Sequence, residues 1–430
     1  MSVGAEGGRR RGPGPAPGTA QAALRHRDFR IIYLCTFASN IGTWMQNVVL
    51  GAFAYKVTGN GAFVGLLYFC QLGPLLFLSM WGGVLADAVD RRRLLVTAQV
   101  AQALSSLGLA FAAIAAEPPL AVITGLVLAV GVANALGAPA LSAILPTLVP
   151  REDLSGAVAL TSIQTNLSRV VGPAIGGVLY AALGAQGAAW VFAINAATYG
   201  FAVVGLLWAV YPRRTTTEIA ERGMGKVLSG VRIARRDPYI LQLLLTLTSF
   251  SFFSVTFVGI MPQIAQNSFG IDPKSWQYGV LYAVFGIGAA LGATSVGTVL
   301  AAREKISMLR PGFVVFAMLL TVFALLSSAP LAFVVVAILG GAYFHVITCL
   351  STALQQHLVD DERGRVMALW IMGFGGTVPL GVLVAGPFTD RYVRAVMLVG
   401  VVWALVLAVW SDPQRLARKA VVRQNSAHGD

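Results

Sequence analysis

Charge is what this chain has least of. Only 11% of its 430 residues are Asp, Glu, Lys or Arg, while 57% are hydrophobic. Soluble domains carry roughly 25% charged residues, so a soluble fold is excluded. Cysteine is almost missing as well. Cys35, Cys70 and Cys349 are odd in number, lie inside apolar runs and lack metal-ligand spacing, which excludes a disulfide framework and leaves them as small packing residues. No GxxxxGK[ST] phosphate loop occurs, so an ATP-driven pump is unsupported. No Asp or Glu stands in the middle of an apolar run, and no carboxylates, His or metal ligands cluster near a run's end. An integral-membrane enzyme would need such a cluster. The basic residues form no aromatic–basic module, so nucleic acid is not an expected partner, and no cofactor is implied. Residues 1–25 are rich in Gly, Pro, Ala and Arg without an apolar core. They read as a disordered tail rather than a cleaved signal.

What is present is about twelve apolar runs of spanning length. They cover approximately residues 29–55, 63–86, 94–116, 119–142, 157–182, 189–211, 239–262, 277–301, 309–328, 331–356, 366–388 and 393–411. A bilayer core about 30 Å thick needs about 20 apolar residues per helix. Turn and charge signals separate the runs: Thr58 to Gly61, Asp87 to Arg93, Arg151 to Asp153, Ser268 to Pro273, Asp360 to Arg365 and Asp390-Arg391 among them. Long continuous runs exclude a β-barrel, whose segments are short and alternate. The expected fold is an all-α polytopic membrane protein with twelve transmembrane helices. With both termini inside, only Lys56, Lys274, Arg391 and Arg394 fall in outer loops and Arg169 falls within a span. The other 26 of the 31 Lys and Arg then face the cytoplasm, as the positive-inside rule requires. The net charge of +13 is thus a topology signal, and the expected place is the plasma (inner) membrane, with the lipid bilayer as partner.

The chain repeats itself. Leu141-Ser142-Ala143-Ile144-Leu145 leads to Arg151-Glu152-Asp153 and Gly156-Ala157-Val158-Ala159-Leu160. Some 209 residues on, Leu350-Ser351-Thr352-Ala353-Leu354 leads to Asp360-Asp361-Glu362-Arg363 and Gly364-Arg365-Val366-Met367-Ala368-Leu369. Two parallel six-helix bundles follow, with a site expected at their interface near the midplane. The divisions are a cytoplasmic tail 1–27, a first bundle 28–210, a cytoplasmic linker 211–238, a second bundle 239–411 and a tail 412–430. In the linker, Val227, Leu228, Val231 and Ala234 fall at helical spacing beside Lys226, Arg232, Arg235 and Arg236, the pattern of an interfacial amphipathic helix.

Several motifs carry a resemblance. The hinge after the second run has Gly83, Asp87 and the triplet Arg91-Arg92-Arg93. Gly42-Thr43-Trp44-Met45-Gln46 lies in the first run, Asn134-Ala135 with Pro139-Ala140 in the fourth, and Asn166, Arg169 and Gly172-Pro173-Ala174-Ile175-Gly176-Gly177 in the fifth. Arg363-Gly364-Arg365-Val366 opens the eleventh. Over about residues 28–411 the chain resembles the major facilitator superfamily, and within it the enterobactin-exporter and macrolide-efflux branch, the transmembrane secretion effectors. The resemblance implies alternating access and a cytoplasmic gate at Gly83, Asp87, Arg91, Arg92, Arg93, Arg363 and Arg365. Asp87 would sit near the start of the eleventh helix, whose terminus favours a carboxylate by about 0.3–1 kcal/mol. It also implies that Gly172, Pro173, Gly176 and Gly177 shape helix packing suited to export. The fourth run lacks the Arg of the superfamily's proton-coupling motif, so protons enter only as a family expectation.

Arg169 is the sharpest single residue. It lies about 13 residues into its run, roughly 20 Å deep at 1.5 Å per residue. An intramembrane Arg marks the bundle interior or a water-filled cavity. Asn40, Thr43 and Asn47 are expected to hold its guanidinium, with Trp44 as an aromatic wall. His345 is the other titratable group near the midplane, Asn134 occupies similar depth in the fourth run, and Thr246 adds a polar group to the path. The most economical reading is a secondary transporter exporting a small amphiphilic cargo: an antibiotic, a siderophore or a drug-like metabolite. An importer, or a non-transporting scaffold or sensor, is the alternative. A scaffold would not need the paired hinges.

Overall fold

The computed structural model describes residues 16–115, 117–210 and 224–412, and among these there is helix and turn but no strand. That is the economy lipid imposes, since each backbone N–H and C=O must be satisfied within its own segment.

In the first half, α1 (Arg27–Thr58) stops at Gly59, whose φ of 59° ends the helix in the left-handed region. Helix α2 runs as Gly61–Leu72 and Pro74–Ala88, with the Asn60 side chain accepting from the Ala62 and Phe63 N–H groups. Helix α3 (Arg91–Ile114) starts on Asp90, which accepts from the Arg93 N–H at 2.9 Å. Then come α4 (Leu120–Ile144), α5 (Leu154–Ala182) and α6 (Gly187–Trp208). In the second half, α7 begins as Pro238–Ser249 and passes into a π turn at Phe250–Ser254. Helices α8 (Trp276–Gly297), α9 (Leu309–Leu325) and α10 (Ala329–His357) follow. Helix α11 opens as Asp360–Ile371 and contains a second π turn, Met372–Gly376. The helix Thr377–Trp410 completes α11, bends at Tyr392 (φ −130°, ψ 35°) and becomes α12.

Among the described residues, eight stretches are long and apolar enough to cross a bilayer. One of them, Glu362–Trp410, has 49 residues, roughly 74 Å of helix, and so crosses twice. Helix α9 is apolar but shorter. Helices α1 and α5 are long but not apolar enough, because they carry Asn40, Gln46, Asn47, Gln164, Asn166 and Arg169. The two least apolar spans are therefore the two that carry the candidate site. Outward residues such as Phe111, Leu291 and Val409 are more than 60% exposed, an apolar belt that only lipid would cover.

The halves meet along α2–α11 and α5–α8. Call the side holding both described chain ends the terminal face, and the other the far face. At the far face, Lys56 Nζ meets Asp272 Oδ2 at 3.2 Å. The Gly61 N–H donates to both Asp390 carboxylate oxygens at 2.9 Å, and the Tyr55 hydroxyl donates to Asn267 at 3.4 Å. Below these contacts, Gly177 of α5 lies directly on the backbone of Gly279 of α8, with no room for a Cβ on either.

At the terminal face each half is tied by a His–Asp pair. His26, just before α1, meets Asp153 at 2.8 Å, and the Gly18 N–H donates to the same carboxylate at 3.0 Å. His357, ending α10, meets Asp237 at 2.9 Å. Asp237 also caps α7 by accepting from the Tyr239 and Ile240 N–H groups at 2.9 and 3.2 Å. Burial pushes the Asp237 carboxyl up, but the bonds from His357, Ile240 and Tyr239 outweigh it and leave it below the ordinary carboxylate value. The His26 and Gly18 hydrogen bonds lower Asp153 likewise. A carboxyl held low when folded stabilises the fold above its unfolded pKa of about 4, and that stabilisation is lost as pH falls through the folded value. Thermal unfolding in detergent should therefore worsen below about pH 4. Asp237→Ala should cost about 1–2 kcal/mol at neutral pH and shrink the acid-sensitive part of the profile. An unchanged melting curve at both pH values would contradict this role.

Residues 211–223 lie outside the described part, and a helix runs Met224–Arg236 before α7. Gly230 rests on the Arg365 carbonyl at the start of α11 and Ala234 is buried, whereas Leu228 stays 56% exposed. The helix thus docks on the second half through its Gly230–Ala234 side.

Candidate cargo site between the halves

Arg169 lies on α5 where α5 and α8 cross, its carbonyl against Gly286. Its guanidinium sits between two rings, 5.5 Å from the centroid of Trp44 on α1 and 5.2 Å from that of Phe344 on α10. One ring comes from each half. The Tyr68 and Tyr343 hydroxyls lie within electrostatic range. Arg169 Nε is buried with no hydrogen-bond partner among the described residues. A desolvated cation faced by aromatic rings gains about 2 kcal/mol or more, but an N–H donor left without an acceptor costs about 1–3 kcal/mol. The site is therefore poised to take an acceptor from outside.

Asn40, Thr43 and Asn47 are not the guanidinium's holders. Thr43 bonds the Ser39 carbonyl at 2.8 Å and the Tyr199 hydroxyl at 2.9 Å, which turns it toward α6. Asn47 accepts from Gln71 of α2, and Gln46 accepts from Asn195 at 2.9 Å. No described hydrogen bond joins Asn40 to Arg169. For Thr43 the reason is helical geometry, since successive side chains stand about 100° apart and Trp44 is the one that faces Arg169; Asn47, nearer to the Trp44 face, is engaged by Gln71 instead. The same rule separates Phe344 from His345. Phe344 faces Arg169, while His345 faces α9 and opens into a different cavity. Asn134 is half-buried on α4, with no described contact to Arg169. Thr246, on α7, is 1% exposed, and its hydroxyl has no hydrogen-bond partner among the described residues.

Around the site, Gly172 lets α5 close on Trp44 and the α1 backbone, Gly176 packs on Met45, and Pro173 is buried beside them. Gly177 makes the far-face contact with α8. Asn47, Tyr68, Gln71, Tyr278 and Tyr282 line a void of about 20 Å³ just under that seal, room for about one water. The second π turn packs on the α7 segment just before the first: Gly373 lies against Thr248, and Thr377 Oγ1, just after the turn, donates to the Thr248 carbonyl at 3.2 Å. Such turns gather at functional sites because they interrupt the helical hydrogen-bond ladder.

Of the expected gate residues, Gly83 and Asp87 lie in the helix Pro74–Ala88, while the Asp87 side chain lies outside the described part. Arg92 caps α6: its Nε donates to the Leu206 carbonyl at 3.0 Å and its Nη2 to that of Leu207, a cation meeting the negative end of a helix. Arg91 and Arg93 stand in the first turn of α3, with Arg93 exposed. Arg363 is exposed and Arg365 half-buried at the start of α11. Sequence reasoning missed Phe344, Tyr68 and Tyr343. The adjacent aromatics Tyr343-Phe344 beside His345 were the available signal.

The sequence profile of the transmembrane secretion effectors matches residues 18–420. A staphyloferrin A transporter of Staphylococcus aureus is 28% identical over 385 residues, covering 86% of this chain and 92% of that protein. The enterobactin exporter EntS of Shigella flexneri is 29% identical over 354 residues, covering 80% and 81%. Among solved structures, the POT family transporter PepTSo superposes with a TM-score of 0.73 at 12% identity, covering 92% of this chain and 99% of that one. A bacterial homologue of the human lysosomal transporter Spinster, inward-facing and unoccupied, gives 0.68 at 14%, covering 92% and 98%. At such identities the structural likeness speaks for the fold alone. The profile match across nearly the whole chain places it in a family: this protein is a transmembrane secretion effector, a membrane transport protein of the major facilitator superfamily and not an enzyme.

Proposed function

We propose that the protein exports a small amphiphilic, weakly anionic compound, such as a siderophore, an antibiotic or a drug-like metabolite, by alternating access between its halves. One observation carries this reading: a buried guanidinium with an open donor, clasped by one ring from each half. A cargo with an acidic or carbonyl oxygen and an apolar body satisfies both the donor and the rings. It would also touch both halves, so its binding would couple to their relative motion. The related enterobactin exporter and staphyloferrin A transporter support a siderophore as the first cargo to test. The terminal face is the cytoplasmic one on the distribution of Lys and Arg, which makes the sealed far face the external gate.

Proton coupling is part of the proposal. Collapsing the proton gradient should raise the cargo retained by cells, as should deleting the gene. Uptake that depends on the protein would instead favour an importer. Because His345 opens away from Arg169, His345→Gln should leave cargo affinity within about twofold, roughly 0.4 kcal/mol. A larger loss would return His345 to the cargo path.

A further inference from the structure

A second cavity, of about 380 Å³, lies wholly within the second half, between the turn after α8, the start of α9 and the middle of α10. It is at the terminal face and has no part in the seam between the halves. Three features define its chemistry. First, its rim is cationic: Arg303 lines it and is exposed. Behind that wall Lys305, 8% exposed, is fixed by four carbonyls, those of Val296, Leu300, Ala301 and Arg303, at 2.9–3.2 Å. The ammonium pins the turn and adds a second positive charge that cannot swing away. Glu304 is exposed next to it but does not line the cavity. Second, its floor is polar. The half-buried His345 ring lies beside Gly312 and has one hydrogen-bond contact among the described residues, with Cys349 Sγ at 3.7 Å, and thiols are weak partners. Third, its side opens between α9 and α10 over apolar groups: Pro311, Val315 (42% exposed) and Ala342. A soluble anion has no use for such a mouth, whereas an acyl chain does.

We infer that this cavity binds an anionic phospholipid from the leaflet at the terminal face, its phosphate at Arg303, its headgroup reaching toward His345 and a chain leaving past Val315. Basic pockets between transmembrane helices take such headgroups because a phosphate gains a cation in a poorly solvated place while its chains stay in lipid. The occupied cavity would tie the α8–α9 turn to α10, the helix that also carries Phe344.

The test uses the full-length protein, delipidated in detergent and titrated with phosphatidylglycerol or phosphatidylcholine of identical chains, with bound lipid counted by native mass spectrometry. Phosphatidylglycerol should be retained at least tenfold better. Arg303→Glu should abolish that preference, and Val315→Trp, which fills the mouth, should do the same without changing charge. Arg310→Glu makes the same charge change on an exposed residue outside the lining and should keep the preference. Inorganic phosphate should not compete. Equal retention of the two lipids would overturn the inference. So would equal losses in Arg303→Glu and Arg310→Glu, which would mean diffuse surface charge, or displacement by phosphate, which would mean a free-anion site.

Discussion

Arg169→Gln should weaken cargo binding about a hundredfold while leaving the protein folded. The guanidinium offers the cargo a charged donor, and its contacts with the Trp44 and Phe344 rings hold it in place. A hydrogen bond to a charged group is worth about 1.5–3 kcal/mol, and each 1.4 kcal/mol is about tenfold in affinity, so the loss reaches about a hundredfold at the upper end. The ring contacts are the internal interactions that Gln gives up, since Nε has no described hydrogen-bond partner. Removing a charge from a span also eases insertion. Arg169→Lys should recover only part of the affinity, because an ammonium keeps the charge but not the planar fork that stacks on rings. Enterobactin titrated into purified, monodisperse protein is a suitable first probe. Wild-type affinity in Arg169→Gln would make Arg169 a packing residue.

Gly177→Trp should hold the far face open and reduce transport more than tenfold. Any side chain on Gly177 meets the backbone of Gly279 rather than a movable side chain, so no rotamer change relieves the clash. Helices α5 and α8 must separate, and the Lys56–Asp272 and Gly61–Asp390 contacts go with them. A transporter that cannot close one gate cannot alternate. Val64, 2% exposed behind the seal, makes a sensor. Val64→Cys in a cysteine-free background should resist a membrane-impermeant thiol reagent, and become reactive when combined with Gly177→Trp. Gly125→Trp is the control, because a Cβ there has no neighbour within 4 Å. Unaltered labelling together with normal transport would mean that the far-face contact is not a gate.

The architecture was legible because its signals are local. Runs of apolar residues, punctuated by signals such as Thr58 to Gly61 and Asp87 to Arg93, mark the helices, and the hinge repeated near Arg151 and Asp360 marks the two halves. Arg169 stood out because an ionised group in a span has few explanations. Its surroundings were harder to read. Which side of α1 or α10 faces it depends on rotation about each helix axis, and one residue of error turns Trp44 into Thr43 or Phe344 into His345. Hydrophobic patterning fixes that rotation in soluble helices, but here lipid-facing and core-facing residues are equally apolar. The seam at Gly177 and Gly279 joins residues about a hundred positions apart, each of which alone reads as ordinary small-residue packing. The His26–Asp153 and Asp237–His357 pairs escaped notice for the same reason, since repeat-related positions carry the two residue types in opposite order.

Export through the Arg169 site is tested most directly by comparing small molecules in the medium and in cell extracts for four strains. These are the parent, a deletion, and the deletion complemented with wild type or with Arg169→Gln, all scored by untargeted mass spectrometry. At least one anionic amphiphile should accumulate inside the deletion strain and fall in its medium. Wild type should restore its export and Arg169→Gln, present in the membrane at the same level, should not. Indistinguishable profiles in all four strains, or a compound that builds up in the medium when the gene is lost, would contradict the account.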